Sequence, residues 1–487
     1  MLNLISSLIE ELSTANVRYS HWKSNVHLAD AMDEGGELDL LVRREDAYKF
    51  IAVISGLGFK RAADPLQTSY TSVNHYYQFD ANSNKEVHLH VYFRVITGES
   101  LLKNYCIPIE KMLLAETFSL QGLPVVTPEA EKIVMSLRTA AKHSSLSDYL
   151  LLRSHLQGLY DEALYLSQTA DEGSSTALLK KWLPNVSPTL LDSFFQSILT
   201  QKNFIVRYQR ARRIRTQLKP FSRYTLWDEI QTRIGIFLKR IAWRLRKNKS
   251  SKRLDNGGIM IAFIGAEAVG KSTMVDETIT WLSSIFHVQS AHLGKPPSTY
   301  LSVLPNMLLP LLRRQVPEMR TSRIEADSEA KERSILYYVR SVFVAWDRRY
   351  LATKLRRNAV NGQIVICDRY PSSTVGAMDS AKLEALENVS GNIGWLKRIL
   401  SRKEKNIYRQ IPPPDLVIHL TVPVDVAVER NRNRVKVDKE SDDYVIRRHT
   451  SRKTPQFDSS TTVVQVDTSQ TIDATKAEIR QLIWSIL

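Results

Sequence analysis

The stretch that most constrains the fold is "IMIAFIGAEAVGKSTMVDETITWLSSIF", residues 259–286. An unbroken apolar run of strand length meets Gly265-Ala266-Glu267-Ala268-Val269-Gly270-Lys271-Ser272-Thr273, and helical spacing follows. Two glycines let a short loop turn its backbone amides inward, and the helix behind it adds partial positive charge. That combination grips phosphates: Lys271 reaches the terminal phosphate oxygens and Ser272 offers a hydroxyl to Mg²⁺. A glycine turn with a surface lysine would show the same letters without these flanks. A buried strand feeding such a loop predicts an α/β domain with a parallel sheet.

Two later segments bear on the same chemistry. "GQIVICDRYPSS" reads as a second buried strand ending in Asp368 and Arg369. The carboxylate can order a Mg²⁺ shell and the arginine can grip a second phosphate, or the two form a structural ion pair. "VFVAWDRRYLATKLRRNAVNG" predicts the preceding helix, with Arg348 facing the same strand ends. Strand, helix and an arginine-dense run follow in "PPPDLVIHLTVPVDVAVERNRNRVKVDKESDDYVIRRH". Arg430, Arg432 and Arg434 there form either a lid over a transferring phosphoryl group or an ordinary solvated helix face.

On these residues, 258–487 resembles the thymidylate kinase-like branch of the P-loop nucleoside monophosphate kinases. Gly265-Ala266-Glu267 fits the family's loop with its carboxylate near the acceptor, though Glu267 could also merely cap the loop. Trp346-Asp347-Arg348 stands where the family has Ala-Asp-Arg, and Asp368-Arg369-Tyr370 is its Asp-Arg-Tyr. Arg430, Arg432 and Arg434 fall at its lid, and "VVQVDTSQTIDATKAEIRQLI" at its closing strand, adenine-side loop and last helix. The resemblance implies a five-stranded parallel sheet with flanking helices, ATP with Mg²⁺, and phosphoryl transfer. It implies that Lys271, Asp368, Arg369, Arg430 and Arg434 serve catalysis, and that Glu267, Arg348, Arg369 and Tyr370 bind the acceptor. Residues 265–273 would hold the nucleotide, with Ser272 and Asp368 on the metal. The base-reading parts depart: Arg-Glu-Pro-Gly-Gly is replaced by "AHLGKPPSTY", Ala-Tyr-Gln by Gly376-Ala377-Met378, and a long insert runs through "LPNMLLPLLRRQVPEMRTSRIEADSEAKERS". The expected acceptor is therefore an anionic small molecule or glycan precursor rather than simply thymidylate.

With 487 residues the chain has room for a module before this one, and four blocks are expected: 1–100, 101–200, 201–254 and 255–487. The first mixes a helix with strands, and "HYYQFDANSNKEVHLHV" reads as a hairpin turning at "ANSN". In "GELDLLV", Glu37 and Asp39 stand at i and i+2, so both point from one strand face, towards a shared metal or simply into solvent. Thr127-Pro128-Glu129 is a cap-then-proline helix start opening the second block. This region resembles the nucleotidyltransferase superfamily, which implies an α+β domain with a helical extension and a second metal at Glu37 and Asp39. His88 stands where the third carboxylate is expected, and Lys23-Ser24 where the family has glycine. His88 and His90 face one side of their strand, for packing, acceptor binding or metal ligation.

The net charge of +16 is concentrated. Between Lys202 and Arg253 stand about 17 Lys and Arg against Asp228 and Glu229, an excess of roughly +15. Leu226, Ile230, Ile234, Phe237, Leu238, Ile241 and Leu245 share one helical face there. The segment reads as a domain-linking helix, a membrane-surface helix over 226–253, or a nucleic-acid patch. Trp227, Phe237 and Trp243 favour the membrane surface, and no nucleic-acid module accompanies the charge. The N-terminal residues lack a basic flank before an apolar run, and Cys106 and Cys367 support neither a disulfide framework nor a zinc site. The expected place is the cytoplasm, with a position peripheral to the inner membrane as the alternative, and the oligomeric state is open. Two other functions stay open: nucleotidyl transfer with a regulatory P-loop, and an ATP-binding switch or defence protein.

Overall fold

The computed structural model describes residues 1–63, 72–80, 82–99, 102–144, 156–200, 204–245, 252–299, 335–374, 377, 379–383, 394–433, 441–450 and 455–487. Arg434, Gly376, Met378, the whole 304–334 insert and part of the hinge before residue 252 lie outside them. The chain divides into two compact units, Met1–Ser250 and Ser251–Leu487. The helical extension and the basic segment to residue 250 thus belong to the first unit rather than standing as separate blocks.

In the main sheet of the first unit the strands are β1 (Tyr19–His21), β2 (Gly36–Val42), β3 (Lys60–Ala63), β4 (Val73–Asp80), β5 (Lys85–Tyr92), β6 (Thr117–Leu120) and β7 (Leu123–Val126). Within the unit they lie in the order β3-β4-β5-β2-β1-β7-β6. Strand β4 pairs antiparallel with β5 as the hairpin expectation requires, and β2 lies parallel to β5. Alternation sorts β2: Leu38, Leu40 and Val42 enter a core with Ile5, Leu8, Phe50 and Ile54, leaving Glu37, Asp39 and Leu41 on the other face. A second core lies among the helices Pro128–His143, Leu156–Thr169, Glu172–Trp182, Pro188–Leu199 and Phe204–Gln217, around Phe194, Phe195 and Leu137. Thr127 caps the first of these, accepting from the N–H of Ala130. Ala211, Ile214 and Leu218 are fully buried in this core, so the basic segment begins as a packed helix and not as a solvated link.

The second unit is a five-stranded sheet of β8 (Met260–Gly265), β9 (Val288–His292), β10 (Ile364–Asp368), β11 (Leu416–Thr421) and β12 (Thr462–Asp467), in the order β9-β10-β8-β11-β12. Every pairing is parallel. All of β8 is buried, which is why it reads as an unbroken apolar run. Helices Ile335–Val360, Lys271–Ser283 and Ile472–Ile486 flank the sheet; Ala352 and Leu355 pack beside Met260, Ala262 and Val365. Among the described residues no helix is long and apolar enough to cross a membrane.

Candidate functional site

Strand β8 ends between β10 and β11, and the loop leaving it is held tightly at one end and open at the other. A Cβ on Gly265 would stand 2.7 Å from the carbonyl of Leu420 and 2.8 Å from Val269, so only glycine fits against β11. Gly270 takes φ 81° with open space beside it. It precedes the helix Lys271–Ser283 with no side-chain cap, which leaves first-turn N–H groups available to an anion. Ser272 and Thr273 are exposed at that helix start. Lys271 Nζ reaches back 3.4 Å to the carbonyl of Gly265.

Register brings Asp368 opposite Phe263 on β8 and His292 on β9. Its Oδ2 is 3.7 Å from His292 Nε2, and its buried Oδ1 has no hydrogen-bond partner. A carboxylate oxygen left this way, on the strand next to the one that feeds the loop with its exposed hydroxyls, could help hold a phosphate-bound Mg²⁺. Arg369 follows at φ 67°, its N–H held by the carbonyl of Phe263, with Nη1 3.6 Å from Asp379.

The other expected residues fall differently. Arg348 is buried, not presented to a ligand: Nε donates to Leu293 O at 2.9 Å, Nη1 to Asp379 O at 2.8 Å, and Nη2 to Asp379 Oδ1 at 2.9 Å. The hydroxyl of Tyr408 and the carbonyl of Gly294 take its remaining donor capacity. Tyr370 is likewise a packing residue, its buried hydroxyl donating to Pro412 O and its phenol pushed well up by burial. Arg430 donates to Thr468 O at 2.7 Å, and Thr468 Oγ1 donates to Val269 O at 3.0 Å, so Arg430 braces the loop through the segment after β12. Arg432 pairs with Asp442 on the surface.

Two residues at the loop escaped sequence reasoning. The helix Asp442–Thr450 lays Arg448 Nη2 3.4 Å from Glu267 Oε1 and His449 Nε2 3.0 Å from Glu267 O. The "RRH" within the arginine-dense run was the only signal for them, and it did not say which residue faces the loop.

The first unit gathers a second cluster. Asp39 lies opposite His90 and Glu37 opposite His88 on the β2–β5 ladder. His90, not His88, closes the group: its Nδ1 is 2.7 Å from Glu37 Oε1 and 3.1 Å from Asp39 Oδ1. His88 keeps its Nδ1 3.7 Å from Glu37 Oε2, while its Nε2 meets His75 at 2.9 Å and its ring stacks on Tyr77. Donor atoms of Glu37, Asp39 and His90 lie within 4.8 Å of one another, a spacing that suits one metal ion. Lys23 Nζ, 2.8 Å from Asp39 Oδ1, already supplies a positive charge there. Burial opposes the charge on Asp39, but Lys23 and His90 outweigh it and hold its carboxyl far below the usual range. Lys103, over the Tyr92 ring, was also missed; burial and then Lys23 push its amine down to about 8.

Glu131 supports this cluster from behind. Its two oxygens accept from Asn25 N and Nδ2, each at 2.8 Å, fixing the turn that carries Lys23 and Ser24. Burial raises its pKa to about 7. Beside the turn lies a cleft of about 360 Å³ lined by Ser24, His27, Arg138, Lys142, His143 and Glu162.

No family model matches the chain. It is 25% identical over 186 residues to the thymidylate kinase of Cyanothece sp., an alignment covering 37% of this chain and 70% of that protein. Among solved structures, the thymidylate kinase of Candida albicans is 16% identical, covering 47% of this chain and 92% of that one, with a TM-score of 0.28. The sequence match supports a thymidylate kinase-like region of the nucleotide kinase type, and the parallel sheet and loop of the second unit fit a P-loop α/β fold.

Proposed function

We propose that the second unit transfers the γ-phosphoryl group of ATP, with Mg²⁺, to an acceptor that is not simply thymidylate: another nucleotide, a sugar or a glycan precursor. The observation that carries this reading is the open loop Gly265–Thr273 beside an Asp368 oxygen without a partner. ATP with its metal would supply the activated phosphoryl group. The loop amides and Lys271 would hold its phosphates, and Lys271 would stabilise charge developing on the transferred group. Ser272 and Asp368 would hold the metal. Arg369 would orient the acceptor, while Arg348 acts as a positioning residue through Asp379, which both arginines share. Glu267, gripped by Arg448 and His449, would close the site, with Arg430 bracing the nucleotide side and Arg434 as the further lid arginine.

ATP labelled separately at the α and γ phosphates tests the assignment, offered with nucleoside monophosphates, sugars and cell extract. Movement of γ-label to a small acceptor is the expected result and names the substrate. ATP binding without transfer to any acceptor overturns it in favour of a switch.

The convergence of Glu37, Asp39 and His90 favours a second reading for the first unit, nucleotidyl transfer at that cluster. Movement of α-label, lost in Asp39→Asn and kept in Lys271→Ala, would support it.

A further inference from the structure

The helix Leu226–Leu245 is turned inside out. Its inward side is charged: buried Glu229 accepts from Arg215 at 2.9 Å and from Arg233 at 2.7 Å, and both arginines also reach buried Glu99. Ile236 is the one large apolar side chain described on that side as buried. On the outward side, Trp227, Ile230, Ile234, Phe237, Leu238 and Ile241 are each between 40% and 69% exposed. At 100° per residue these six fall within an arc of about 100°, a continuous apolar stripe on a helix about 30 Å long. Such a stripe on a water-facing surface marks a docking face.

We propose that this face lies on an anionic membrane surface. The charge around it chooses the occupant. The excess of roughly +15 between Lys202 and Arg253 includes exposed Arg212, Arg213, Lys219, Arg223 and Lys239. The two acids of the segment are engaged: Asp228 accepts from the hydroxyl of Thr225, and Glu229 sits in the buried ion network. A second copy of this helix would bring the same positive field with no free acid to meet it, whereas acidic headgroups complement it. Trp227 and the aliphatic stripe would enter the boundary between headgroups and acyl chains, with the helix in the plane of the surface. No described helix is apolar enough to cross, which agrees with that orientation. The inference is independent of the proposed phosphoryl transfer and would hold the chain at a surface whatever its acceptor.

The test uses the full chain and phosphatidylcholine vesicles with and without phosphatidylglycerol, read by co-sedimentation. Binding is expected only to the acidic vesicles at low salt, weakening as salt is raised. Ile234→Glu combined with Phe237→Glu should lower the partition coefficient by about tenfold or more, with an unchanged melting curve because both side chains are exposed. Ile234→Ser with Phe237→Ser repeats the comparison without adding negative charge. Equal binding by these variants, or equal binding to neutral vesicles, overturns the proposal. So does a dimer in sedimentation velocity that the substitutions dissociate, which would make the face an interface between copies.

Discussion

In the second unit the loop after β8 turns polar groups towards solvent, and its one carboxylate, Glu267, meets Arg448 at 3.4 Å. The helix start at Lys271 has no side-chain cap, Ser272 and Thr273 face solvent, and Asp368 keeps one oxygen without a partner. In the first unit Asp39 is met by Lys23 at 2.8 Å and Glu37 by His90 at 2.7 Å, all before any ligand arrives. Under the proposed function, an external phosphate and metal would complete the first arrangement. The second already holds the Lys23 ammonium against Asp39, so an incoming cation would compete with it. Charge balance therefore separates a candidate anion site from a cluster whose carboxylates already have internal partners.

The contrast is broken most directly at Lys23. If it is the counter-ion of a buried carboxylate, Lys23→Met leaves Asp39 with only the His90 ring beside it and should cost about 3–5 kcal/mol of stability. Adding Asp39→Asn should recover most of that loss, giving a strong coupling in a denaturation double-mutant cycle. If Lys23→Met melts like the wild type, the cluster is not self-neutralised and the comparison fails. At the loop, by contrast, Lys271→Ala should leave the melting of the chain nearly unchanged and lower γ-phosphoryl transfer about 10²–10³-fold. A stability loss as large as that of Lys23→Met, with transfer intact, would reverse the roles assigned to the two lysines.

The residues that were legible share one property, which is that neighbours in sequence are neighbours in the site. Gly265, Gly270, Lys271 and Ser272 act within one loop, and the apolar runs on either side reveal the strand and helix that position them. Glu37 and Asp39 were legible for the same reason, through the alternation of one strand. His90 was not separable from His88, because the choice is made by the register between β2 and β5 rather than by either strand. The burial of Arg348 depends on Asp379 and Tyr408, which come from other segments. Arg448 and His449 depend on how one short helix meets Glu267. The apolar face of Leu226–Leu245 could be read from spacing, but its outward direction could not, because the Glu99–Arg215–Glu229–Arg233 network that turns it lies across three separate segments.

The smallest expected effect sharpens the same contrast through pH. Glu131, with a pKa raised to about 7 by burial, keeps its proton in the folded chain after the unfolded chain has released it near 4.5. Its contribution is fully present below the unfolded value and is lost as pH rises through about 7, so it makes stability fall with pH in that window. Burial holds His143 low, at about 4, so its effect runs the other way: stability is lost as pH falls from about 6.5 towards 4. Glu131→Gln keeps an acceptor for the N–H of Asn25, cannot ionise, and leaves His143 in place. The His143 slope therefore largely cancels when the two proteins are compared. From pH 5 to pH 8 the variant should gain about 2 kcal/mol relative to the wild type, or about 4–8 °C in melting temperature. Melting curves of both proteins across that range decide it. A constant difference would mean that the two Asn25 hydrogen bonds hold Glu131 ionised, and that the turn carrying Lys23 rests on a buried anion rather than a buried acid.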